Sequence, residues 1–154
     1  MARKLKCILL SFVLCLCVLP TSSLAVSDTE DTISPYSLWT YPTEYWSLSE
    51  ESYTAEFEVL GSGALFTNYY FRPNGEGEIH IDYQLATETG TTTVEVGCID
   101  MDKNDVVSTF KTGAFGTSGV YSGIRFSGLT ISHKYCFVFK SNDQVVTGTA
   151  LIYH

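Results

Sequence analysis

The stretch Gly128-Leu129-Thr130-Ile131-Ser132-His133-Lys134-Tyr135-Cys136-Phe137-Val138-Phe139 decides the fold of this chain. A leucine stands six residues before a tyrosine, and apolar residues then alternate along the chain. Because successive strand side chains point to opposite faces, Tyr135, Phe137 and Phe139 share one face. The polar segment 140–144 predicts a hairpin loop, and residues 145–153 predict the final strand.

The same kind of pattern continues upstream as far as Tyr53, where short apolar runs are separated by Gly, Asn, Pro and Ser. The clearest alternation places Ile79, Ile81, Tyr83 and Leu85 on one face and Glu78, His80, Asp82 and Gln84 on the other. Such runs predict half-buried strands, and no segment has a helical period. Residues 53–154 are therefore predicted to form an all-β, two-sheet antiparallel sandwich of seven or eight strands.

Leu129, Tyr135, Phe137 and Phe139, within about residues 119–153, resemble the tyrosine-corner region of fibronectin type III and related immunoglobulin-like sandwiches. The resemblance implies an Ig-like fold in which the phenol of Tyr135 bonds to backbone a few residues upstream. The sequence departs from the immunoglobulin pattern because Cys136 directly follows the tyrosine and no tryptophan lies near Cys98.

The first 25 residues have the pattern of a secretory signal peptide. Arg3, Lys4 and Lys6 precede the apolar segment 7–19, and Ser23-Leu24-Ala25 has the form of a cleavage site. The alternative is a membrane anchor, but Pro20 ends the apolar run before the about 20 residues that a membrane span needs. We therefore expect a secreted chain that begins at Val26 and has no membrane contact after cleavage.

The predicted mature chain is strongly acidic. The sequence has 9 Lys and Arg against 17 Asp and Glu, and three of the basic residues lie in the predicted signal, so the mature charge is 6 − 17 = −11. Phosphate backbones and anionic lipid surfaces would repel such a chain. The charge therefore argues against nucleic acid or a membrane surface as its partner.

Cys98 and Cys136 are the cysteines of the predicted mature chain, and in an oxidising compartment they predict one disulfide. Two buried free thiols are the alternative. If Tyr135 and Phe137 face the core, Cys136 faces outward, whereas Cys98 alternates with inward valines. A bulge at Gly97 would turn Cys98 outward and allow a bridge on the outer face of one sheet. The cysteines and histidines have no spacing typical of a zinc site.

Residues 26–52 form an aromatic-rich N-terminal segment that contains both tryptophans. Its rings either dock a tail onto the sandwich or bind a ligand. In the second case, Trp39, Tyr41, Tyr45 and Trp46 would form a site for carbohydrate or another small ligand, to which Tyr69, Tyr70 and Tyr121 could add.

The sequence lacks the short motifs of common catalytic sites. Gly-x-Ser-x-Gly, His-Glu-x-x-His and a phosphate-binding glycine loop do not occur. His80 with Asp82 could act as base and orienting group, and Glu76 with Glu78 or Asp82 with Glu95 could form a glycosidase pair. These residues are predicted instead to be solvated strand positions, so the sequence predicts no catalytic residues and no cofactor.

The spacing Asp100-x-Asp102-x-Asn104 is that of the first half of a calcium loop. Asp105 stands where such a loop needs glycine, and Lys111 stands where it needs glutamate. A polar turn without metal is therefore the prediction, and bound calcium is the alternative.

These observations predict a secreted, non-catalytic module that acts by extracellular recognition or adhesion, with an unknown extracellular protein or glycan as partner. One alternative is a carbohydrate or small-ligand binder that uses the aromatic segment. A secreted hydrolase is the other alternative.

Overall fold

The structure is a computed structural model that describes residues 32–33 and 40–154. The predicted signal peptide, Tyr36 and Trp39 lie outside the described residues. The strands are β1 (Thr32–Ile33), β2 (Glu44–Tyr45), β3 (Tyr53–Val59), β4 (Ala64–Phe66), β5 (Tyr69–Tyr70), β6 (Ile79–Thr87), β7 (Val94–Asp100), β8 (Asp105–Lys111), β9 (Val120–Phe126), β10 (Tyr135–Ser141) and β11 (Val146–Tyr153). The described part of the chain contains no helix that could cross a membrane.

Eight of these strands build two antiparallel sheets. The first has the order β3-β11-β6-β9, with β1 added in parallel outside β3, and the second has the order β4-β10-β7-β8. The short strands β2 and β5 form a separate parallel pair. The predicted two-sheet antiparallel sandwich is therefore confirmed, and the eight strands of its two sheets agree with the expected seven or eight.

The strands pair in a nested way, which defines the connectivity. β3 pairs with β11, β4 with β10, β6 with β9 and β7 with β8. A long hairpin folded over itself gives this order, which is that of a jelly roll. In the immunoglobulin order the first strand lies beside the second. The resemblance to immunoglobulin-like domains thus extends to the two-sheet sandwich and the tyrosine corner, and not to the strand order.

Alternating side chains from both sheets fill the space between them. In β3 the odd-numbered residues are buried and the even-numbered ones exposed, as the apolar pattern requires. The predicted inward residues of β6, from Ile79 to Leu85, are all 2% exposed or less. Phe57 contacts Phe139 from the opposite sheet, with ring centroids 4.6 Å apart. These contacts join the two sheets into one core.

Tyr135 forms the predicted corner. Its phenol oxygen accepts a hydrogen bond from the Thr130 amide at 2.8 Å, and its side chain is 1% exposed. The segment that leads into β10 is thereby held against the start of the strand. The bond to backbone upstream of the tyrosine is confirmed.

The cysteine prediction is corrected. Cys98 lies opposite Phe137 and in the core, whereas Cys136 lies opposite Ile99 on the outer face of the same sheet. The bulge occurs in the β7–β8 pairing between Cys98 and Ile99, where β8 carries the extra residue, and it leaves the β7–β10 register regular. Because the two thiols point to opposite faces, they are free and buried.

Candidate functional site

Two of the predicted ligand-binding aromatics pack against the sandwich. Tyr41 meets Phe66 edge-on at 5.9 Å and donates its hydroxyl proton to Asn104 Oδ1 at 2.7 Å. Trp46 contacts Tyr53 and Tyr69 at 5.3 and 5.2 Å, and its ring nitrogen donates to a backbone carbonyl. These rings attach residues 41–46 to the sandwich, as the docking interpretation of the segment expects.

Tyr45 is the more exposed ring of this segment, with 46% of its surface accessible. It lies 5.4 Å from Tyr70 at an interplanar angle of 34°. The guanidinium of Arg72 stands 5.7 Å from the Tyr45 centroid, and the ammonium of Lys134 stands 5.4 Å from the Tyr70 centroid. We call Arg72, Tyr45, Tyr70 and Lys134 the cation–aromatic stack. Its rings already contact cations and each other, so they offer less free face for a sugar to stack on.

His80 and Asp82 lie on one strand face, as predicted, but each has a partner. The His80 ring stacks on Tyr153 at 5.3 Å, and its Nε2 lies 3.7 Å from the Glu78 carboxylate. Tyr153 donates its hydroxyl proton to Asp82 at 3.3 Å. Burial of its ring, together with the charge of Asp82, raises the pKa of Tyr153. A base and its orienting carboxylate would instead bond to each other.

Of the predicted carboxylate pairs, Asp82 and Glu95 are not brought together, and Glu78 of the pair Glu76 and Glu78 is used in an ion pair. Glu78 is bonded to the Arg125 guanidinium, which lowers the pKa of that carboxyl. Asp82 lies on the outer face of the first sheet, whereas Glu95 is exposed on the outer side of the second. A glycosidic bond cannot lie between two carboxylates on opposite sides of a sandwich.

The predicted calcium residues close the turn between β7 and β8. Asp100 Oδ1 accepts the amides of Asp102 and Lys103, both at 3.1 Å, and Asp100 Oδ2 bonds to His133 Nδ1 at 2.7 Å. The Asn104 side chain accepts the Tyr41 hydroxyl. Ligand atoms of Asp100, Asp102 and His133 all lie within 4.8 Å of one another, a spacing that a metal ion can bridge. Their present bonds serve the turn instead.

Burial by itself would raise the pKa of Asp100. Hydrogen bonds from His133 and from the amides of Lys103 and Asp102 outweigh that effect and lower the pKa below its ordinary value. The ammonium of Lys103 also lies 3.8 Å from this carboxylate. Asp100 is therefore a buried carboxylate with hydrogen-bond partners on both oxygens, and it stabilises the turn.

A row of polar side chains crosses the outer face of the first sheet. The registers place Tyr121 opposite Gln84, Gln84 opposite Thr149, and Thr149 opposite Glu56, on four neighbouring strands. We call these four residues the polar row, and the outer face of the first sheet that carries them the open face. Tyr121 is 73% exposed. No side-chain hydrogen bond joins any member of the row to another described residue.

A shallow groove of about 370 Å³ runs beside the polar row. Its lining includes Glu56, Gln84 and Thr149 of the row together with Ala86, Thr147 and Gly148. Sequence reasoning identified Gln84 as outward and Tyr121 as a possible ring, but it could not place them side by side, because the strand order was unknown.

Comparisons with known proteins give weak likenesses. No protein-family model and no curated protein matches this chain. It is similar to a solved structure described as "CBM4 structure and function", at 8% identity over 64% of this chain and 66% of that chain, with a TM-score of 0.46. It is also similar to a GH115 4-O-methyl-α-glucuronidase with specificity for decorated arabinogalactans, at 11% identity over 79% of this chain and 19% of that chain, with a TM-score of 0.45.

The chain thus spans just under two thirds of the first of these structures and about a fifth of the second. At such low identity and TM-score, neither likeness says which ligand this chain binds.

Proposed function

We propose that this chain is a secreted, non-catalytic β-sandwich module that works outside the cell by binding carbohydrate on its open face. The polar row is the observation that carries the proposal. All four side chains of the row can form hydrogen bonds, and none has a side-chain hydrogen-bond partner within the described structure. Tyr121, at one end of the row, adds an exposed aromatic ring. Export is supported by the signal-peptide pattern of residues 1–25.

The chemistry of the row suits sugar hydroxyls. An amide and a hydroxyl each donate and accept hydrogen bonds, and the Glu56 carboxylate accepts them. The exposed ring of Tyr121 offers an apolar surface to the C–H face of a pyranose. Three steps of strand spacing separate the two ends of the row, about 14 Å, which suits a short oligosaccharide better than a monosaccharide. Glu56 and the net acidity favour a neutral sugar at this position.

The non-catalytic part of the proposal rests on how the carboxylates are used. Glu78 is bonded to Arg125, Asp82 to Tyr153, and Asp100 to His133. Hydrogen bonds lower the pKa of Glu78 and of Asp100, whereas a general acid for glycoside hydrolysis needs a raised one. Glu78 and Asp100 are therefore suited to structure more than to proton transfer.

Carbohydrate binding by Trp39, Tyr41, Tyr45 and Trp46 stays a prediction of the sequence. Trp39 lies outside the described residues, and the rings of Tyr41 and Trp46 contribute to packing. Tyr45 keeps exposed surface next to two cations, so this region suits a charged group better than a stacked sugar.

Recognition of an extracellular protein is the second candidate. The edge strand β8 is exposed along its whole length, and Val106, Val107 and Phe110 are 52%, 42% and 39% accessible. An exposed edge with apolar side chains can accept a strand from another protein. The bulge in β8 disturbs the regular hydrogen-bonding pattern that an added strand would need. We therefore rank protein recognition after carbohydrate binding.

A glycan array and then titration calorimetry with the mature protein test the proposal. Tyr121→Ala and Gln84→Ala should each weaken binding of a neutral oligosaccharide about tenfold, equal to about 1.4 kcal/mol. Tyr45→Ala is the matched control, since it also removes an exposed tyrosine, and it should leave neutral binding unchanged. Absence of binding to any glycan, or binding that is indifferent to Tyr121 and Gln84, would refute carbohydrate binding by the open face.

A further inference from the structure

The two sheets end in free edges on the same side of the sandwich. β9 is the last strand of the first sheet, and β8 is the last strand of the second. One cavity of about 240 Å³ is lined by Val107 of β8 and by Phe126 of β9, so the two edge strands are neighbours. Within residues 32–33 and 40–154, no further strand pairs with the outer edge of either one.

The apolar core reaches the surface on this side. Phe110 of β8 lies opposite the buried Val96 and therefore faces the space between the sheets, yet 39% of its surface is accessible. Val107, also in β8, is 42% accessible. Inward side chains of a sandwich are normally covered by the opposite sheet, so these exposures indicate an apolar surface suited to a partner.

β9 has the regular edge that strand addition needs. It pairs with β6 over seven consecutive residues, Val120 to Phe126, in a register without shifts. A regular edge strand presents backbone donors and acceptors that an antiparallel strand can use, whereas the bulge in β8 disturbs such pairing. Backbone pairing on this side therefore belongs to β9, and β8 contributes apolar side chains.

The sequence of β9 complements itself when a second copy runs antiparallel to it. With Gly123 opposite Gly123 of the second copy, Tyr121 lies opposite Arg125, and Val120 lies opposite Phe126. The numbers of opposed residues differ by an even number, so each pair shares one side of the sheet. A ring then meets a guanidinium on the outer side, and apolar side chains meet on the core side.

Tyr121 and Arg125 are both available for this contact. Tyr121 is 73% exposed, and the side chain of Arg125 is 60% exposed although it is bonded to Glu78. A guanidinium can bind a carboxylate at its edge and an aromatic ring on its flat face at the same time. The ion pair with Glu78 therefore positions Arg125 without preventing the contact.

We propose that this chain forms a twofold homodimer in which β9 pairs antiparallel with β9 of a second copy about Gly123, and in which the second copy covers the apolar side chains of β8. The two first sheets then form one continuous sheet, and both open faces lie on the same side of it. A ligand long enough to reach both polar rows would be held at two sites. The dimer itself does not depend on what the open face binds.

Sedimentation velocity of the chain without its predicted signal peptide tests for the dimer. Because one strand pair is a small interface and both copies are acidic, we expect a dissociation constant on the order of 10 µM. The mass should therefore rise from one copy towards two between about 1 and 100 µM protein.

Substitutions at both edge strands test which surface forms the dimer. Tyr121→Arg places like charges opposite each other and should weaken the dimer about tenfold, whereas Tyr121→Phe keeps the ring and should retain it. Phe110→Lys should also weaken the dimer, because it places a charge in the apolar contact. Leu60→Lys is the matched control, since Leu60 is 43% exposed and follows β3, on the other side of the first sheet.

A cysteine at the twofold axis tests the register. Directly opposed residues of antiparallel strands have Cα atoms about 5 Å apart, which a disulfide can bridge. Gly123→Cys should therefore form a covalent dimer under mild oxidation, after a small shift of the flexible Asp82 side chain above it. Tyr121→Cys is the control, because its two copies would lie about 14 Å apart. The native thiols of Cys98 and Cys136 are buried and should not interfere.

A single copy at every concentration would overturn the inference, and so would a dimer that both Tyr121→Arg and Phe110→Lys leave intact in folded protein. Equal crosslinking of Gly123→Cys and Tyr121→Cys would also contradict it, because the register would then be unspecific. Circular dichroism verifies that each variant is folded, and the mass of the unsubstituted chain decides if a variant is not. A dimer that binds no glycan would support the inference and refute only the open-face proposal.

Discussion

The two outer faces of the sandwich differ although both come from alternating strands. The open face of the first sheet carries Tyr121, Gln84, Thr149 and Glu56 in contact with solvent. The outer face of the second sheet, which we call the covered face, carries Phe66, Ile99 and Cys136, all at most 5% exposed, with Tyr41, Met101 and Val138 packed against them. The first is a free surface, and the second is a small core under the N-terminal segment.

The difference shows what alternation can and cannot specify. Alternation places one set of side chains inward and the other outward, but an outward residue is exposed only if nothing else covers it. On the second sheet Phe66, Ile99 and Cys136 point outward and Tyr41 packs against them, whereas on the first sheet most outward residues are polar. The covered face therefore contributes to stability, and the open face is available for binding.

The largest expected effect tests the covered face. Phe66→Ala should lower the free energy of unfolding by about 3 kcal/mol, because it removes a buried ring and leaves a cavity beside Cys136. Tyr121→Ala on the open face removes a ring of similar size, but it should change the free energy of unfolding by less than about 0.5 kcal/mol. Urea unfolding of both variants measures the contrast. Equal losses would show that the two faces do not differ in burial.

A smaller effect tests the turn to which Tyr41 is bonded. Asp100→Asn should cost about 2 kcal/mol at pH 7, because the buried Asp100 carboxylate bonds to the His133 ring and to two backbone amides. The pKa of Asp100 is lowered on folding, so its stabilisation is full above the unfolded value of about 3.9 and is lost as pH falls through the folded value.

The difference in the free energy of unfolding between wild type and Asp100→Asn should consequently shrink below about pH 4. Unfolding titrations at a series of pH values measure it. Glu95→Gln is the control, since that carboxylate is exposed and should change stability little. A difference that stays constant down to pH 2 would contradict a charge-based role.

The smallest effect concerns the thiol under Tyr41. Cys136→Ala should cost about 1 kcal/mol, the price of a small cavity, with or without reducing agent. A disulfide would instead give a loss of about 2 to 5 kcal/mol that disappears on reduction. Burial raises the pKa of Cys136 to about 12 and also raises that of Cys98, so a thiol reagent should label neither in native protein and both after unfolding. Absence of labelling after unfolding would contradict the free thiols.

Local patterns predicted much of the fold. Alternation in β3 and β6 gave the inward residues correctly, and the spacing from Leu129 to Tyr135 gave the corner, because both depend on neighbours in the chain. The facing of Cys98 was predicted wrongly. That prediction assumed a bulge next to Gly97, whereas the extra residue belongs to β8, and nothing local to Cys98 specifies where a neighbouring strand is irregular.

The candidate sites were less accessible from sequence. Tyr121 and Glu56 lie 65 positions apart and meet in one row only because β11 is inserted between β3 and β6. Arg72 and Lys134 approach one pair of rings only because β5 leads into a bridge with the start of β10. Pairings over such distances depend on the whole topology, which periodicity does not contain.

The sequence by itself determined that this chain is an all-β sandwich with an inward apolar face on its main core strands, such as β3 and β6, and a tyrosine corner before β10. Both features are local. Side chains alternate in direction between successive residues of a strand, and the phenol of Tyr135 bonds to a residue only five positions away. Only the tertiary structure decided the nested strand order, the opposite directions of the two thiols, and which outer face stays open. These depend on contacts between residues far apart in the chain, whose positions are fixed only when all the strands are assembled.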